Sequence, residues 1–383
     1  MKPKRSLSLL AGLLLGVILL LEIFARTQLP DIPAARDVPR NPFRYRGWPE
    51  YIDGLAQDGG SNRVVLLTNC QGYGGEYPAS RGYPARLEWA LRARYAGDTP
   101  AWHVLNWAID GATSMEYLLL ASYLRHHPPA VVIAVTGYAD YRNEHFREGL
   151  AYCRTDVPRL ICRRDVLRTI PAGFKRRHLK VEDSLSAVLS HNLGILRYKE
   201  YLWSWIDRRV PGAHNVFYAP DFSYTPWYLP RKPLLKPIQL PENTNTVLRV
   251  TYGEGSREML REYLEQLSGI PTQVVVVSEP TTTPEDDPHE RLFLADLGEL
   301  TRELGLVYWD LHDALPAKHF FSTAHFHRNN HVRMAALLGR RIAELREGRL
   351  LSAGERDAIE KAVRGGTLEH GNGEQGTAGG EGS

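Results

Sequence analysis

The sequence predicts a three-layer α/β/α domain, built on a five-stranded parallel sheet, behind an N-terminal transmembrane helix. Three observations predict it. Short, almost continuously apolar runs recur along the chain, helical patterns separate them, and an apolar stretch from Leu7 to Ala25 follows Lys2, Lys4 and Arg5. Unbroken apolar strands are typical of parallel sheets, whose strands are covered on both faces. Strand-helix alternation indicates a doubly wound arrangement.

The first element is the apolar stretch, which is long enough to cross a bilayer as one helix. The positive charge before it predicts that the N-terminus stays in the cytoplasm and that the rest of the chain crosses. A cleaved signal peptide is the alternative, but Ile23-Phe24-Ala25 lacks the small-x-small pattern of a cleavage site. We therefore expect a single-pass anchor over residues 1–26, with the bulk on the extracytoplasmic (periplasmic or extracellular) side.

The strands and helices of the main domain follow in order. The five strand runs are Arg63–Thr68, Trp102–Trp107, Val131–Thr136, Gln273–Ser278 and Leu306–Asp310. The helical patterns between and after them are Tyr83–Tyr95, Ser114–Arg125, Ser256–Ser268, Pro288–Leu304 and Asn330–Leu345. In open α/β sheets, ligand sites lie at the carboxyl ends of the strands, so the residues that follow each strand matter most.

Composition divides the chain into four parts. Residues 27–58 are rich in Pro, Arg and Asp without periodicity, which indicates a stalk. Residues 59–348 form the α/β domain, interrupted at about 141–251 by an insertion without a strong strand, in which we expect a helix around Ser184–Ile206. Long insertions are usually lids or binding loops, although this one could be a structural cap. Residues 349–383 form a helical end and a disordered tail.

Charge and cysteine usage exclude some classes of function. The net charge of +3 and the lack of a dense basic block argue against a nucleic-acid partner. In an oxidising compartment Cys153 and Cys162 could pair across a short loop, which would leave Cys70 as the odd thiol. All three cysteines could equally be small buried residues. A redox role for Cys70 ranks last, because no Cys-x-x-Cys accompanies it.

Three residues that follow strands have the chemistry of an acyl-transfer site. Cys70 lies in Thr68-Asn69-Cys70-Gln71-Gly72, a strand-to-helix turn, and a helix N-terminus favours the thiolate. Gly111 follows the second strand and would let a backbone N–H approach a ligand closely. His325 precedes the last long helix. His327 and His331 add imidazoles, but no carboxylate or Cys completes an obvious ligand set, so we expect no metal and no cofactor.

The order of these residues resembles that of the SGNH, or GDSL, family of esterases and acyltransferases, which has a parallel-sheet, flavodoxin-like α/β/α fold. Thr68–Gln71 falls at the family's first block, Gly-Asp-Ser or Gly-Asn-Ser, which places Cys70 at the nucleophile position. Asn106–Thr113 matches the second block, with Gly111 as its glycine. Gly137–Asp140 corresponds to the third block, Gly-x-Asn-Asp, and Ser322–His325 to the last, Asp-x-x-His.

Three positions depart from the family pattern. Cys70 replaces the serine, Ala139 the asparagine of the third block and Ser322 the aspartate of the last. A Cys nucleophile needs less activation than Ser, so Cys70 and His325 could form a thiolate-imidazolium pair, with Ser322 or a carbonyl orienting the imidazole.

The resemblance implies an oxyanion hole made of the nucleophile's backbone N–H, the Gly111 N–H and an asparagine side chain. Loss of that asparagine donor costs roughly 2.7–4 kcal/mol of transition-state stabilisation. Asn69, Gln71 or Asn143 could substitute for it.

These residues predict a membrane-anchored esterase or O-acyltransferase that acts on an acylated glycan or lipid through a Cys-His acyl-enzyme. The alternative is a catalytically inactive relative that binds a glycan or a partner in envelope or exopolysaccharide assembly. The substrate-binding residues are not evident from the sequence.

Overall fold

Five parallel strands form one sheet. They are β1 (Arg63–Thr68), β2 (His103–Ala108), β3 (Val131–Thr136), β4 (Gln273–Ser278) and β5 (Val307–Trp309). Their spatial order is β2-β1-β3-β4-β5, which is the doubly wound, flavodoxin-like order. The predicted fold class is confirmed. The computed structural model describes residues 3–28, 52, 62–73, 81–109, 111–141, 157–198, 251–282, 287–320 and 325–365.

The described ranges contain twelve α-helices. They are α1 (Pro3–Gln28), α2 (Cys70–Tyr73), α3 (Tyr83–Arg94), α4 (Ser114–Leu124), α5 (Arg164–Thr169), α6 (Ala172–His178), α7 (Val181–Asn192), α8 (Gly194–Arg197), α9 (Glu254–Ser268), α10 (Pro288–Glu303), α11 (Arg328–Glu347) and α12 (Ala353–Gly365). The helices predicted in the main domain correspond to α3, α4, α9, α10 and α11, with ends that differ by a few residues.

Helices cover both faces of the sheet, and alternate strand residues point to opposite faces. Val65 and Leu67 belong to one apolar cluster, together with α4, α9 and α10. Val64 and Leu66 belong to the other, together with α3, α11 and α12. This two-sided burial explains why the strands read as continuous apolar runs.

The first part of the insertion covers the face that α4 covers. Val157, Val166 and Phe174 are buried in the same cluster as α4. The helix expected over Ser184–Ile206 is α7, which begins at Val181 and is followed after a break by the short α8. Residues 199–250 of the insertion lie outside the described residues.

Both ends of the described chain contact the domain. In α1 the segment Leu10–Gln28 is long and apolar enough to cross a membrane, and its side chains are mostly exposed. Ile52, in the segment expected to be stalk, is buried in the core, and Tyr123 Oη donates to its carbonyl (3.3 Å). At the other end α12 packs on α3, where Arg86 donates to Val363 O (2.7 Å). The expected disordered tail lies outside the described residues.

Candidate functional site

Cys70 lies on a single helical turn at the carboxyl end of β1. The turn, α2, closes with a hydrogen bond from Tyr73 N to Asn69 O (3.0 Å). Cys70 is partly exposed, whereas the residues on either side of it are buried. Gly72 is required here, because a Cβ at this position would lie 2.1 Å from Thr68 Cγ2. With only four residues, α2 has a much smaller dipole than a helix of several turns, so it favours the thiolate less than a long helix would.

The side chain of Asn69 holds this turn from behind. Its Oδ1 accepts a hydrogen bond from Gln71 N (3.0 Å), and its Nδ2 donates to Asp140 Oδ2 (3.3 Å). Asp140 Oδ2 also accepts from Gly137 N (3.4 Å), at the end of β3. In this structure the buried Asn69 amide therefore bonds to Asp140 and is not offered to a ligand, and its role as an oxyanion donor stays a prediction.

Gln71 and Asn106 tie the same turn to neighbouring strands. Gln71 Nε2 donates to Pro280 O (2.5 Å), just after β4, and Asn106 Nδ2 on β2 donates to Gly72 O (2.9 Å). Gln71 therefore does not replace the missing oxyanion donor either. Asn143, the other substitute considered, lies outside the described residues. The polar side chains around Cys70 fix the turn and leave the exposed cysteine in front of it.

A buried acid that the sequence did not single out completes the network. Glu279 directly follows β4, and burial, together with nearby Asp140, raises the pKa of its carboxyl well above the ordinary value. Its side chain lies over Gly137, whose added Cβ would come within 1.9 Å of Glu279 Oε2. We call Asp140 and Glu279 the carboxyl pair. Its buried position indicates that Glu279 holds a proton at pH values where a surface glutamate is ionised.

Tyr117 on α4 lies within electrostatic range of both the carboxyl pair and the cysteine. Its hydroxyl is fully buried, and burial followed by the charges of Asp140, Glu279 and Cys70 raises the pKa of Tyr117 well above its usual range. These groups therefore share one poorly solvated region behind α2. Two ionised carboxylates in this region would disfavour a negatively charged thiolate at Cys70. A proton on Glu279 removes one of those two charges.

The loop after β2 runs beside the Cys70 turn. Ile109 N donates to Thr68 O (3.0 Å), the last residue of β1, and Ala112 N donates to Ile109 O (3.1 Å). Gly111 within this loop is exposed and has φ 67°, a left-handed conformation that favours glycine. The loop thus places Gly111 near the carboxyl edge that carries Cys70, and its role as an oxyanion donor stays a prediction.

Tyr83 links the cysteine turn to the segment that carries His325. Its hydroxyl donates to Thr68 Oγ1 (3.2 Å), and its ring lies 6.3 Å from the ring of Phe326. Phe326 is buried, while the adjacent His325 is partly exposed. His325 and Cys70 are therefore brought to the same end of the sheet. Ser322, proposed to orient the imidazole, lies outside the described residues.

The two other histidines of this segment have structural surroundings. His331 is buried, accepts from Tyr83 N through Nδ1 (3.3 Å) and stacks on the Tyr83 ring. His327 precedes α11, and partial burial and His319 lower its pKa. Among the described residues, no three His, Cys, Asp or Glu side chains are grouped so that they could hold a metal ion.

A second polar cluster, also missed by the sequence, lies beyond Glu279. Thr281 Oγ1 donates to Glu290 Oε1 (2.9 Å), and His312 Nδ1 lies 3.9 Å from the same oxygen. Ser278 Oγ donates to Asp310 Oδ1 (2.7 Å) nearby. All of them except Glu290, which lies on α10, are found within three residues of the carboxyl end of β4 or β5, and that position is the signal that could have found them. Their mutual contacts stabilise the loops at this edge.

Neither a family model nor a curated protein matches the chain. Similar solved structures include an alpha/beta hydrolase enzyme from the metagenome of Lake Arreo, Spain (13% identity, 76% of this chain and 97% of that one, TM-score 0.37). A lipase/acylhydrolase from Enterococcus faecalis (12%, 73% and 95%, 0.34) and an acetylxylan esterase from Geobacillus stearothermophilus (13%, 74% and 95%, 0.37) are also similar. Because these TM-scores are low, no function is assigned from the similarity. The fold assignment rests on the strand order of the chain itself.

Proposed function

We propose that this chain is a membrane-anchored, extracytoplasmic acyl-transfer enzyme, an esterase or O-acyltransferase, with Cys70 as nucleophile and His325 as base. The observation that supports it is the Cys70 turn. The cysteine is the partly exposed member of a segment whose neighbouring side chains are buried and hydrogen-bonded behind it. Such a turn presents a nucleophile at the carboxyl edge of the sheet, where ligands of this fold bind.

The proposed reaction has two steps, acylation of Cys70 and deacylation of the thioester. His325 takes the thiol proton as Cys70 Sγ attacks the carbonyl carbon of an acyl ester, and the alcohol leaves with that proton, so that a thioester forms. Water or an acceptor hydroxyl then attacks the thioester and gives its proton to His325, which returns it to Sγ. Hydrolysis and transfer share the thioester and differ only in the second nucleophile.

Backbone donors stabilise the oxyanion in this proposal. The Cys70 N–H and the Gly111 N–H serve this role, because the side-chain amides of Asn69 and Gln71 are engaged elsewhere and Ala139 has none. Two donors rather than three weaken the stabilisation by roughly 2.7–4 kcal/mol. The carboxyl pair acts through Asn69 as a positioning element. An acylated glycan or lipid is the proposed substrate class.

Contacts of α1 support a retained anchor rather than a cleaved signal peptide. The Glu22 carboxylate accepts hydrogen bonds from Gly194 N (2.7 Å) and Ile195 N (2.9 Å), and Ala25 is buried with Tyr198. A cleaved signal peptide is absent from the mature chain, so it could not keep such contacts with the folded domain. The N-terminal sequence of the protein isolated from membranes tests this point. A chain that begins after Ala25 would refute the anchor.

A non-catalytic glycan-binding or partner-binding role is the second candidate. The reduced oxyanion hole favours it, since the described side chains nearest to Cys70 have structural partners. Such a protein would bind an acylated glycan without consuming it. Binding would survive the loss of both Cys70 and His325.

The full chain in lipid nanodiscs, assayed with an acetyl-ester reporter, separates these roles. For the enzyme, we expect Cys70→Ala to abolish turnover and His325→Ala to reduce it by about 10²–10⁴-fold. Cys162→Ala is the matched control, because this second partly exposed cysteine belongs to the insertion. Undiminished turnover in Cys70→Ala would exclude the mechanism. An intact chain that binds acylated glycan without turnover would favour the second candidate.

A further inference from the structure

Helix α7 has an apolar face with no covering element among the described residues. Val181, Leu185, Val188 and Leu189 expose 87%, 56%, 46% and 39% of their surface, and Ala187 on the same helix is buried. Exposed apolar residues scattered singly are ordinary, but four large aliphatic side chains on one helix form a contiguous patch. Leu193, directly after the helix, is also exposed.

Helical geometry gathers these residues into one stripe. Positions 181, 185, 188 and 189 repeat at i, i+4, i+7 and i+8, which puts them within about 100° of one another on a helix with 3.6 residues per turn. Ala187 lies on roughly the opposite side of that stripe. The helix therefore packs on the domain through a small residue and presents its large apolar residues outward.

The end of α7 is fastened to the anchor. The Arg26 guanidinium donates to Asn192 O, the last residue of α7, and Glu22 receives the first two N–H groups of α8. Ala25 and Tyr198 are buried together beside these polar contacts. Helix α7 and the segment that crosses the membrane are thus joined at the point where the anchor ends.

The position of this junction along α1 corresponds to the membrane surface. The apolar segment Leu10–Gln28 has 19 residues. At about 1.5 Å per residue it matches the hydrocarbon thickness of about 30 Å. Glu22 and Arg26 lie six and two residues before the end of that segment, about 9 Å and 3 Å along the helix axis. Their contacts with Asn192 and Gly194 therefore hold α7 at the boundary between the lipid headgroups and the acyl chains.

The chain that leads into α7 has the charge expected of such a location. Residues 164–180 contain six Lys or Arg and one Asp, whereas α7 itself carries Glu182 and Asp183 and no Lys or Arg. Arg164, Arg168, Arg176 and Lys180 are exposed. Basic residues beside an apolar helix face are typical of helices that lie in the interface of anionic membranes.

We propose that α7 lies in the surface of the same bilayer that α1 spans, with Val181, Leu185, Val188 and Leu189 among the acyl chains. The inference rests on the anchor of the proposed function. It makes the insertion a second membrane contact, which fixes the orientation of the domain and keeps the Cys70 edge at a constant distance from the lipid.

Photo-crosslinking tests this contact on the full chain. The chain is reconstituted in nanodiscs of phosphatidylethanolamine and phosphatidylglycerol that contain a lipid with a diazirine in its acyl chain, irradiated, and mapped by peptide mass spectrometry. We expect lipid adducts in the peptide 181–193 as well as in α1, which serves as the internal reference. The wild-type map alone decides the question even if a variant fails to fold.

Two double variants of α7 add equal charge at different positions. Leu185→Glu/Leu189→Glu should lower the ratio of α7 to α1 adducts by about tenfold, because carboxylates are expelled from the acyl region. Ser184→Glu/His191→Glu changes exposed residues off the stripe and should leave the ratio unchanged.

The outcomes separate the two proposals. Adducts in α1 without adducts in 181–193 would overturn the inference and leave the anchor intact. The apolar stripe would then be covered by another part of the chain or by a second copy. Absence of adducts from α1 as well would overturn both the anchor and the inference. Acetyl-ester turnover by Cys70, measured on the same sample, reports on the chemistry independently.

Discussion

Substitution of Gly137 by alanine tests the structural role of the carboxyl pair. An added Cβ would lie 1.9 Å from Glu279 Oε2, about 1.5 Å inside ordinary van der Waals contact. Glu279 cannot move as a unit, since its backbone N–H donates to Thr136 O (3.1 Å), the residue before Gly137. The carboxyl must therefore leave its place in the network behind the Cys70 turn. Overpacking of this kind costs about 1–3 kcal/mol.

The assay is urea unfolding of the detergent-solubilised chain, together with the rate at which iodoacetamide alkylates Cys70. Gly137→Ala should lower the free energy of unfolding by about 1–3 kcal/mol and change the alkylation rate. Gly298→Ala is the control: its Cβ would meet Tyr308 at 3.8 Å, and alanine inside a helix should add about 0.5–1 kcal/mol. If Gly137→Ala is as stable as the parent and its Cys70 reacts at the same rate, the carboxyl pair does not support the turn.

The remaining predictions concern pH and glycine conformation. Glu88 is buried, and burial raises its pKa from 4.5 to about 7; its stabilising contribution is therefore present at acid pH and is lost as the pH rises through about 7. Relative to Glu88→Gln, the parent should lose about 3 kcal/mol of unfolding free energy between pH 4 and pH 8, and parallel pH profiles of the two proteins would contradict this. Glu279→Gln should likewise gain stability over the parent at alkaline pH, because the raised pKa of Glu279 means that its ionisation destabilises the fold; a parent-like pH profile of unfolding would contradict this. Gly111→Ala and Gly348→Ala both force a side chain into the left-handed region (φ 67° and 64°) and should each cost about 1–2 kcal/mol, but only Gly111→Ala should reduce ester turnover. Equal turnover in the two variants would argue against a role for the Gly111 N–H.

The strands could be predicted from the sequence because a strand buried on both faces leaves an unbroken apolar run. The runs at 63–68, 131–136 and 273–278 match the observed strands at both ends. The last strand is shorter than predicted, at Val307–Trp309, and its residues are only partly buried. β5 lies at one edge of the sheet, whereas β2, at the other edge, has five of its six residues buried.

The site was harder to predict, because the spacing of residues along the chain does not determine where their side chains point in the folded protein. Asn69 stands beside the nucleophile position, yet its amide turns inward to Asp140. No motif in the sequence marks Glu279 as a site residue, and only the tertiary structure brings it over Gly137. The helix of the insertion ends at Asn192, and the first N–H groups of the following helix, α8, bind Glu22, far away in sequence.

Direct capture of the acyl-enzyme is the most decisive measurement. The full chain in nanodiscs is mixed with an activated acetyl ester, quenched in acid at short times, and its mass and peptide map are recorded for the parent and for His325→Ala. A thioester on Cys70 that forms quickly in the parent, decays as product appears and is nearly absent in His325→Ala is the predicted result. Turnover with no acyl group on Cys70, or acylation at the same rate without His325, would contradict the Cys-His mechanism.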